Sequence, residues 1–214
     1  MRLYLSSYGL GRHPEYLTAL VGDGGRRAVV IANALDDMPE DVRRIGVDCE
    51  IAALSRLGFD AVELDLHGYF DDEARLRRDL AGVALAWLRG GNTFMLRYAL
   101  ARSGGDVVFR DLLAADALVY AGYSAGLCVV SPTLRGIEAV DDADAVTRIY
   151  GTEPVWEGLA ILDEAFVPHY QSTWHPQAAA IDLTAQRYRA EGIPHRTLRD
   201  GQVLLIDGSH TAIV

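Results

Sequence analysis

Residues 122–126 read Gly-Tyr-Ser-Ala-Gly and lie between two apolar runs, Ala117-Leu118-Val119-Tyr120-Ala121 and Leu127-Cys128-Val129-Val130. This pattern predicts a short buried strand, a sharp turn and a helix. Glycine on each side lets strand and helix pass close together and accepts dihedrals that side chains resist. A serine at the centre of such a turn stands clear of the sheet. The new helix aims its first free N–H groups at whatever reacts there. The same five residues also fit a plain join rich in small side chains, so their weight depends on what accompanies them.

Upstream, strand and helix patterns alternate at short spacing. Strands are expected at Leu3–Ser6, Arg27–Ala32, Ala61–Leu66, Val83–Leu88 and around Leu118. Helices are expected from His13-Pro14-Glu15 to Val21, Pro39–Leu57, Asp71–Leu80, Phe94–Ala101 and Val107–Ala114. In the long second helix, Val42, Ile45, Cys49, Ala52 and Ala53 share one face at helical spacing, which predicts its buried side. Such alternation implies an α/β fold of three layers: a mostly parallel, doubly wound sheet with helices on both faces. Sites in such folds sit at the carboxyl ends of the strands. The Ser124 turn and the loop Gly90-Gly91-Asn92-Thr93 both fall there.

The second half is less regular. Residues 141–150 read as loop or short helix, Leu159–Leu162 and Phe166-Val167 as short strands, and Gln177–Ala190 as helix. Terminal strands at Arg196–Leu198, Val203–Ile206 and Thr211–Val214 are joined by turns at Asp200-Gly201 and Asp207-Gly208. The chain of 214 residues has no linker or repeat, so residues 1–214 are expected to form a single catalytic α/β domain.

A serine hydroxyl becomes a useful nucleophile only when a base takes its proton. Of the six histidines, His169 follows an apolar strand and Pro168, where a base should sit. His13 and His67 could line the same rim, whereas His175 and His195, each beside a proline, read as surface positions. Candidates for the carboxylate behind the base are Asp200, Asp163 and Glu164. Donors for an oxyanion are the amide of Ala125 and the loop Gly90, Gly91 and Asn92. A second assignment, an α/β-hydrolase esterase, would use Ser124, Asp163 and His210 in chain order. A third is a non-catalytic binding protein, hinted at by the loop Gly9-Leu10-Gly11-Arg12-His13.

Bulk properties narrow the partners. A formal net charge of −10 argues against nucleic acid. Two cysteines, Cys49 and Cys128, form no disulfide framework or Cys-rich metal site. A His169–His175 metal pair lacks a third ligand at convincing spacing. No run approaches the roughly 18 to 20 apolar residues of a membrane span, and the first residues do not read as a signal peptide. The expectations are a cytoplasmic protein, no metal, no cofactor, a short peptide as partner, and a monomer or homodimer. Glutamine amidotransfer would need a cysteine at position 124.

Gly90-Gly91-Asn92-Thr93-Phe94, Gly122-Tyr123-Ser124-Ala125-Gly126 and Pro168-His169-Tyr170 together resemble peptidase E, the aspartyl dipeptidase type of serine peptidase (family S51), which also contains cyanophycinase. The order and spacing match along most of the chain. The resemblance implies a fold like the class I glutamine amidotransferase domain, with serine in place of its cysteine. It implies Ser124 as nucleophile, His169 as base, a carboxylate at Asp200, and oxyanion donors from the Gly91 and Ala125 amides. It also implies hydrolysis of dipeptides with an N-terminal acidic residue, Asp-X, through an acyl-enzyme. Many relatives carry three glycines before Asn-Thr, and Arg89 stands in the first of those places here. An acidic substrate side chain needs a cation, and Arg89 and Arg97 are both candidates.

Overall fold

In the computed structural model, which describes residues 1–214, the chain runs β1 (Arg2–Ser6), α1 (Glu15–Val21), β2 (Arg27–Ile31), α2 (Glu40–Arg56), β3 (Asp60–Glu63), α3 (Glu73–Asp79), β4 (Leu85–Leu88), α4 (Thr93–Arg102), α5 (Gly105–Ala114) and β5 (Val119–Tyr123). Then follow α6 (Ala125–Cys128), α7 (Asp144–Tyr150), β6 (Ala165–Val167), α8 (Ala178–Ala190), β7 (His195–Thr197), β8 (Val203–Asp207) and β9 (His210–Ile213). Seven strands form one sheet in the order β3-β2-β4-β5-β1-β8-β9. Every pairing from β3 through β1 is parallel, and β8 and β9 add antiparallel. Strands β6 and β7 form a separate parallel pair covered by α8.

The strand sequences explain why both faces are covered. Side chains alternate across a strand. Leu3, Leu5, Val29, Ile31, Ala86 and Leu88 enter one core with α3, α4 and α5, while Tyr4, Ala28, Val30, Leu85 and Trp87 enter the other with α1 and α2. Apolar residues at every position of β4 and β5 are what a strand buried on both faces requires. No helix is long and apolar enough to cross a membrane.

Helix α2 does not bury the face its apolar spacing predicts. Val42 and Ile45 are 45% and 63% exposed, and Cys49 is exposed too. Gly46, Val47, Glu50 and Leu54 face inward instead. Two polar contacts and one small residue set this rotation. The Glu50 carboxylate accepts from Trp87 Nε1 at 2.8 Å and from the Tyr123 hydroxyl at 2.7 Å, so a buried acid finds its donors. At Gly46 a Cβ would come within 2.7 Å of Leu35 Cδ1.

Two other expectations fail locally. Leu159–Leu162 is not a strand: the amides of Leu159 and Ile161 donate to Val129 and Val130 carbonyls, so the segment wraps the end of α6. The third strand ends at Glu63, and the Asp65 carboxylate accepts the His67 amide to open a short helical turn.

Strands β4 and β5 pair with Leu88 opposite Gly122. A Cβ at Gly122 would lie 2.7 Å from the Leu88 carbonyl oxygen, and one at Gly126 would overlap that oxygen outright. Because the obstacle is backbone, it cannot rotate away. Gly126→Ala should therefore destabilise the protein by about 1–3 kcal/mol, a loss of several degrees in Tm on thermal unfolding followed by circular dichroism. An unchanged Tm would contradict this packing.

Candidate active site

Ser124 joins β5 to α6 with φ 51° and ψ −109°. A serine held in this region costs about 1–3 kcal/mol, which the surroundings must impose. They do so from both sides. The Ser124 carbonyl accepts the amides of Leu127 and Cys128 at 3.0 and 2.8 Å, and the Tyr120 hydroxyl donates to the Gly126 carbonyl at 2.8 Å. Gly90 presses on the same residue: a Cβ there would stand 2.9 Å from Ser124 Cβ and 2.6 Å from the Tyr123 ring.

The loop after β4 is fixed by its next two residues. Gly91 has φ 149°, and a Cβ on it would overlap the Ala34 carbonyl. Asn92 caps α4, its Oδ1 accepting the Phe94 amide at 3.0 Å, while Nδ2 donates to Asp37 and to the Asp142 carbonyl. Asn92 is thus a clamp between three segments as well as a wall of the site.

His169 follows β6 and Pro168, is 5% exposed, and also has positive φ, 57°. Its amide donates to Ser7 Oγ at 2.8 Å. Its Nδ1 lies 2.8 Å from Asp200 Oδ1. A carboxylate only accepts, so the neutral ring carries its proton on Nδ1 and keeps the lone pair on Nε2. Asp200 sits in the turn before β8, where the Ser7 and Ser172 hydroxyls donate to its two oxygens at 3.0 and 2.6 Å.

Burial pulls the His169 pKa down, the charge and hydrogen bond of Asp200 push it up, and burial wins, leaving it below its ordinary 6.5. For Asp200, burial acts upward, but the Ser172 hydrogen bond and the neighbouring His169 and Ser7 outweigh it and leave the carboxyl below its usual range. His175 is half-buried and stacks on the His169 ring, with centroids 4.6 Å apart. The expected surface position for His175 is therefore corrected, because the turn after Ser172 folds it back over His169. The stacked rings lie side by side, a poor arrangement for sharing one metal ion.

Ser124, His169, Gly90, Gly91 and Asn92 line one cavity of about 460 Å³. Arg89 lines it too, with Nη1 donating to the Gly90 carbonyl at 2.7 Å and Nε 3.4 Å from Glu50. Arg97 does not: it is buried elsewhere, bonded to the Glu157 carbonyl and paired with Asp106. Asp37, Asp141 and Asp142 also line it, the Asp142 carboxylate being paired with Arg148. Burial pushes the Asp141 carboxyl up to about 6 although Thr93 donates to it.

The remaining sequence candidates lie elsewhere. His13 pairs with Glu15 in solvent, and His67 with Asp65 and Tyr150, so neither lines the rim. His195 is half-buried, not a surface residue, because its Nδ1 binds the Ile193 carbonyl. Glu164 is taken by Arg196. His210 pairs with Asp207, which faces Arg2, whereas Ser6 faces Tyr123 next to Ser124. Four residues of strand, about 13 Å, separate those two ends of β1, so Ser124, Asp163 and His210 do not assemble. Sequence reasoning missed Ser7, Ser172, Tyr8 and Trp174, which surround His169 or Asp200. Their only signal was their place in loops after strand ends.

The family model for peptidase family S51 matches residues 13–214. The chain belongs to peptidase family S51. It is 32% identical over 122 residues to an uncharacterized peptidase of Listeria innocua and 30% identical over 123 residues to an uncharacterized peptidase of Listeria monocytogenes. These matches cover 56% of this chain and 54% and 56% of those relatives, so the chain spans little more than half their length. A crystal structure of a candidate peptidase E protein from Listeria monocytogenes EGD-e superposes with TM-score 0.81 at 22% identity, covering 100% of this chain and 97% of that one. A peptidase from an acI-B1 Actinobacterium gives TM-score 0.70 at 20% identity, covering 100% and 86%. These two likenesses establish that this S51 chain has the expected mostly parallel α/β fold.

The electrostatics of this S51 site can be tested without substrate. By NMR titration the His169 ring should protonate below pH 6.5. Asp200→Asn should move that midpoint lower still, because the charge that raises it is gone. A midpoint that rises or stays put in the variant would contradict the account.

Proposed function

We propose that this S51 chain is a serine peptidase acting on short peptides through an acyl-enzyme on Ser124. The observation that carries the reading is the 2.8 Å contact between His169 Nδ1 and Asp200, on the wall of the cavity that holds the strained Ser124. Ser124 Oγ attacks the peptide carbonyl carbon while His169 Nε2 takes its proton. Asp200 holds the ring in the working tautomer and stabilises the imidazolium. The amides of Gly91 and Ala125 receive the negative charge that develops on the carbonyl oxygen. His169 then returns the proton to the leaving amine, and the C–N bond breaks. A water deprotonated by the same ring cleaves the ester and restores Ser124.

The preferred substrate is a dipeptide with an N-terminal acidic residue. Arg89 is the single guanidinium that lines the cavity, which suits a substrate carboxylate. A free N-terminus carries an ammonium, and Asp37 and Asp141, both lining the cavity, give it acidic partners. Asp37 Oδ1 is buried without a hydrogen-bond partner. The cavity volume is in the range of small-molecule sites.

A panel of Asp-X, Asn-X and Ala-X dipeptides tests this reading. Ser124→Ala and His169→Ala should each lower kcat/KM at least about a thousandfold without unfolding the protein. His210→Ala should remain active. Arg89→Gln should lower the ratio of Asp-X to Asn-X rates about tenfold or more. Retained Asp-X turnover in Ser124→Ala would reject the assignment, and an unchanged ratio in Arg89→Gln would reject Arg89 as the acid reader.

A further inference from the structure

Two large aromatic side chains stand at the cavity mouth with half their surface in solvent. Tyr8, in the loop after β1, is 52% exposed, and Trp174, between β6 and α8, is 57% exposed. Both line the cavity that holds Ser124. Their rings meet edge to face with centroids 5.2 Å apart. Each also flanks the His169 imidazole, at 5.8 Å for Tyr8 and 6.0 Å for Trp174. Scattered exposed aromatics are ordinary. A touching pair set together beside one buried imidazole is a built feature.

The direction of proton flow says what this pair meets. Asp200 occupies Nδ1 of His169, so Nε2 is the nitrogen that exchanges protons. The leaving amine receives its proton there, which brings its nitrogen within about 3 Å of the ring. The α-carbon carrying that amine is one bond further on. Its side chain therefore falls among the cavity-lining rings around the imidazole, which are Tyr8, Trp174 and the stacked His175; Tyr8 and Trp174 are the large apolar surfaces among them. The acyl half extends the other way, toward Gly90, Gly91 and Arg89.

We propose that Tyr8 and Trp174 form a subsite for the side chain of the leaving residue and select apolar side chains, aromatic and branched aliphatic above all, over glycine or charged residues. The inference rests on the assignment of Ser124 and His169 made above. Burying an apolar side chain against this pair of aromatic rings is favourable, and the pair carries no charge to hold an acidic or basic one.

The test fixes the N-terminal residue as Asp and varies the second among Phe, Leu, Gly and Asp. For the wild-type chain, kcat/KM for Asp-Phe and Asp-Leu should exceed that for Asp-Gly and Asp-Asp by about tenfold or more. Trp174→Ala and Tyr8→Ala should each cut that preference several-fold, the double variant should bring it close to one, and Trp174→Phe should keep most of it. No preference in the wild type would overturn the proposal. So would a preference that survives the double variant while all rates fall together, since that marks Tyr8 and Trp174 as mere supports for His169. Dissociation constants of the same dipeptides on Ser124→Ala give the ratio without turnover. Selective binding there with no Ser124-dependent hydrolysis in the wild type overturns the peptidase reading and supports the subsite. Hydrolysis without selectivity does the reverse.

Discussion

The contact between two glycines and one carbonyl oxygen governs this molecule. Gly122 and Gly126 close on the Leu88 oxygen from β5 and α6, and the turn between them holds Ser124 at φ 51° and ψ −109°. Because β4 and β5 are neighbours in register, the loop after β4 emerges beside the serine. Gly90 can lie against it because it carries no side chain, and Gly91 for the same reason lies against the Ala34 carbonyl. The Ser124 elbow and the Gly90-Gly91 loop are thus one construction, made by strand adjacency and by the missing Cβ atoms of Gly90, Gly91, Gly122 and Gly126.

The proposed base arrives by a different route. His169 and Asp200 come from the irregular second half, His169 just after β6 of the small β6–β7 pair and Asp200 from the turn into β8. What ties them to the main sheet is Ser7, at the end of β1, which accepts the His169 amide and donates to Asp200. Strand β1 sits between β5 and β8, so one hydroxyl places His169 at the same carboxyl edge as the elbow. The electrostatics follow from burial. A sheltered imidazole resists protonation, and a carboxylate with three donors stays charged beside it. That pairing keeps the ring neutral and ready to accept a proton near neutral pH.

Much of this was legible from residue order. Apolar runs in β1, β2 and β4 and the glycines around Ser124 are local signals, and they led to the sheet, the elbow and the loop at Gly90-Gly91. The choice of His169 over His210 rested on Pro168 and a strand end, and strand pairing explains it: His210 lies at the opposite end of β1. Other features were not legible because they depend on distant partners. The rotation of α2 is set by Glu50 meeting Trp87 and Tyr123, 37 and 73 residues away. His175 folds onto His169 only because the intervening turn is anchored through Ser172 to Asp200. Arg97, a cation near the motif in sequence, is buried against Glu157 and Asp106, and no spacing rule distinguishes it from Arg89.

The central claim is that the carbonyl carbon of the substrate becomes bonded to one hydroxyl at the tip of the elbow. Mixing the protein with an activated aspartyl ester, quenching in acid within milliseconds to seconds and mapping the peptides by mass spectrometry examines that bond itself. The account predicts an aspartyl adduct on Ser124. An adduct on another side chain, such as Cys128 or His175, would contradict it.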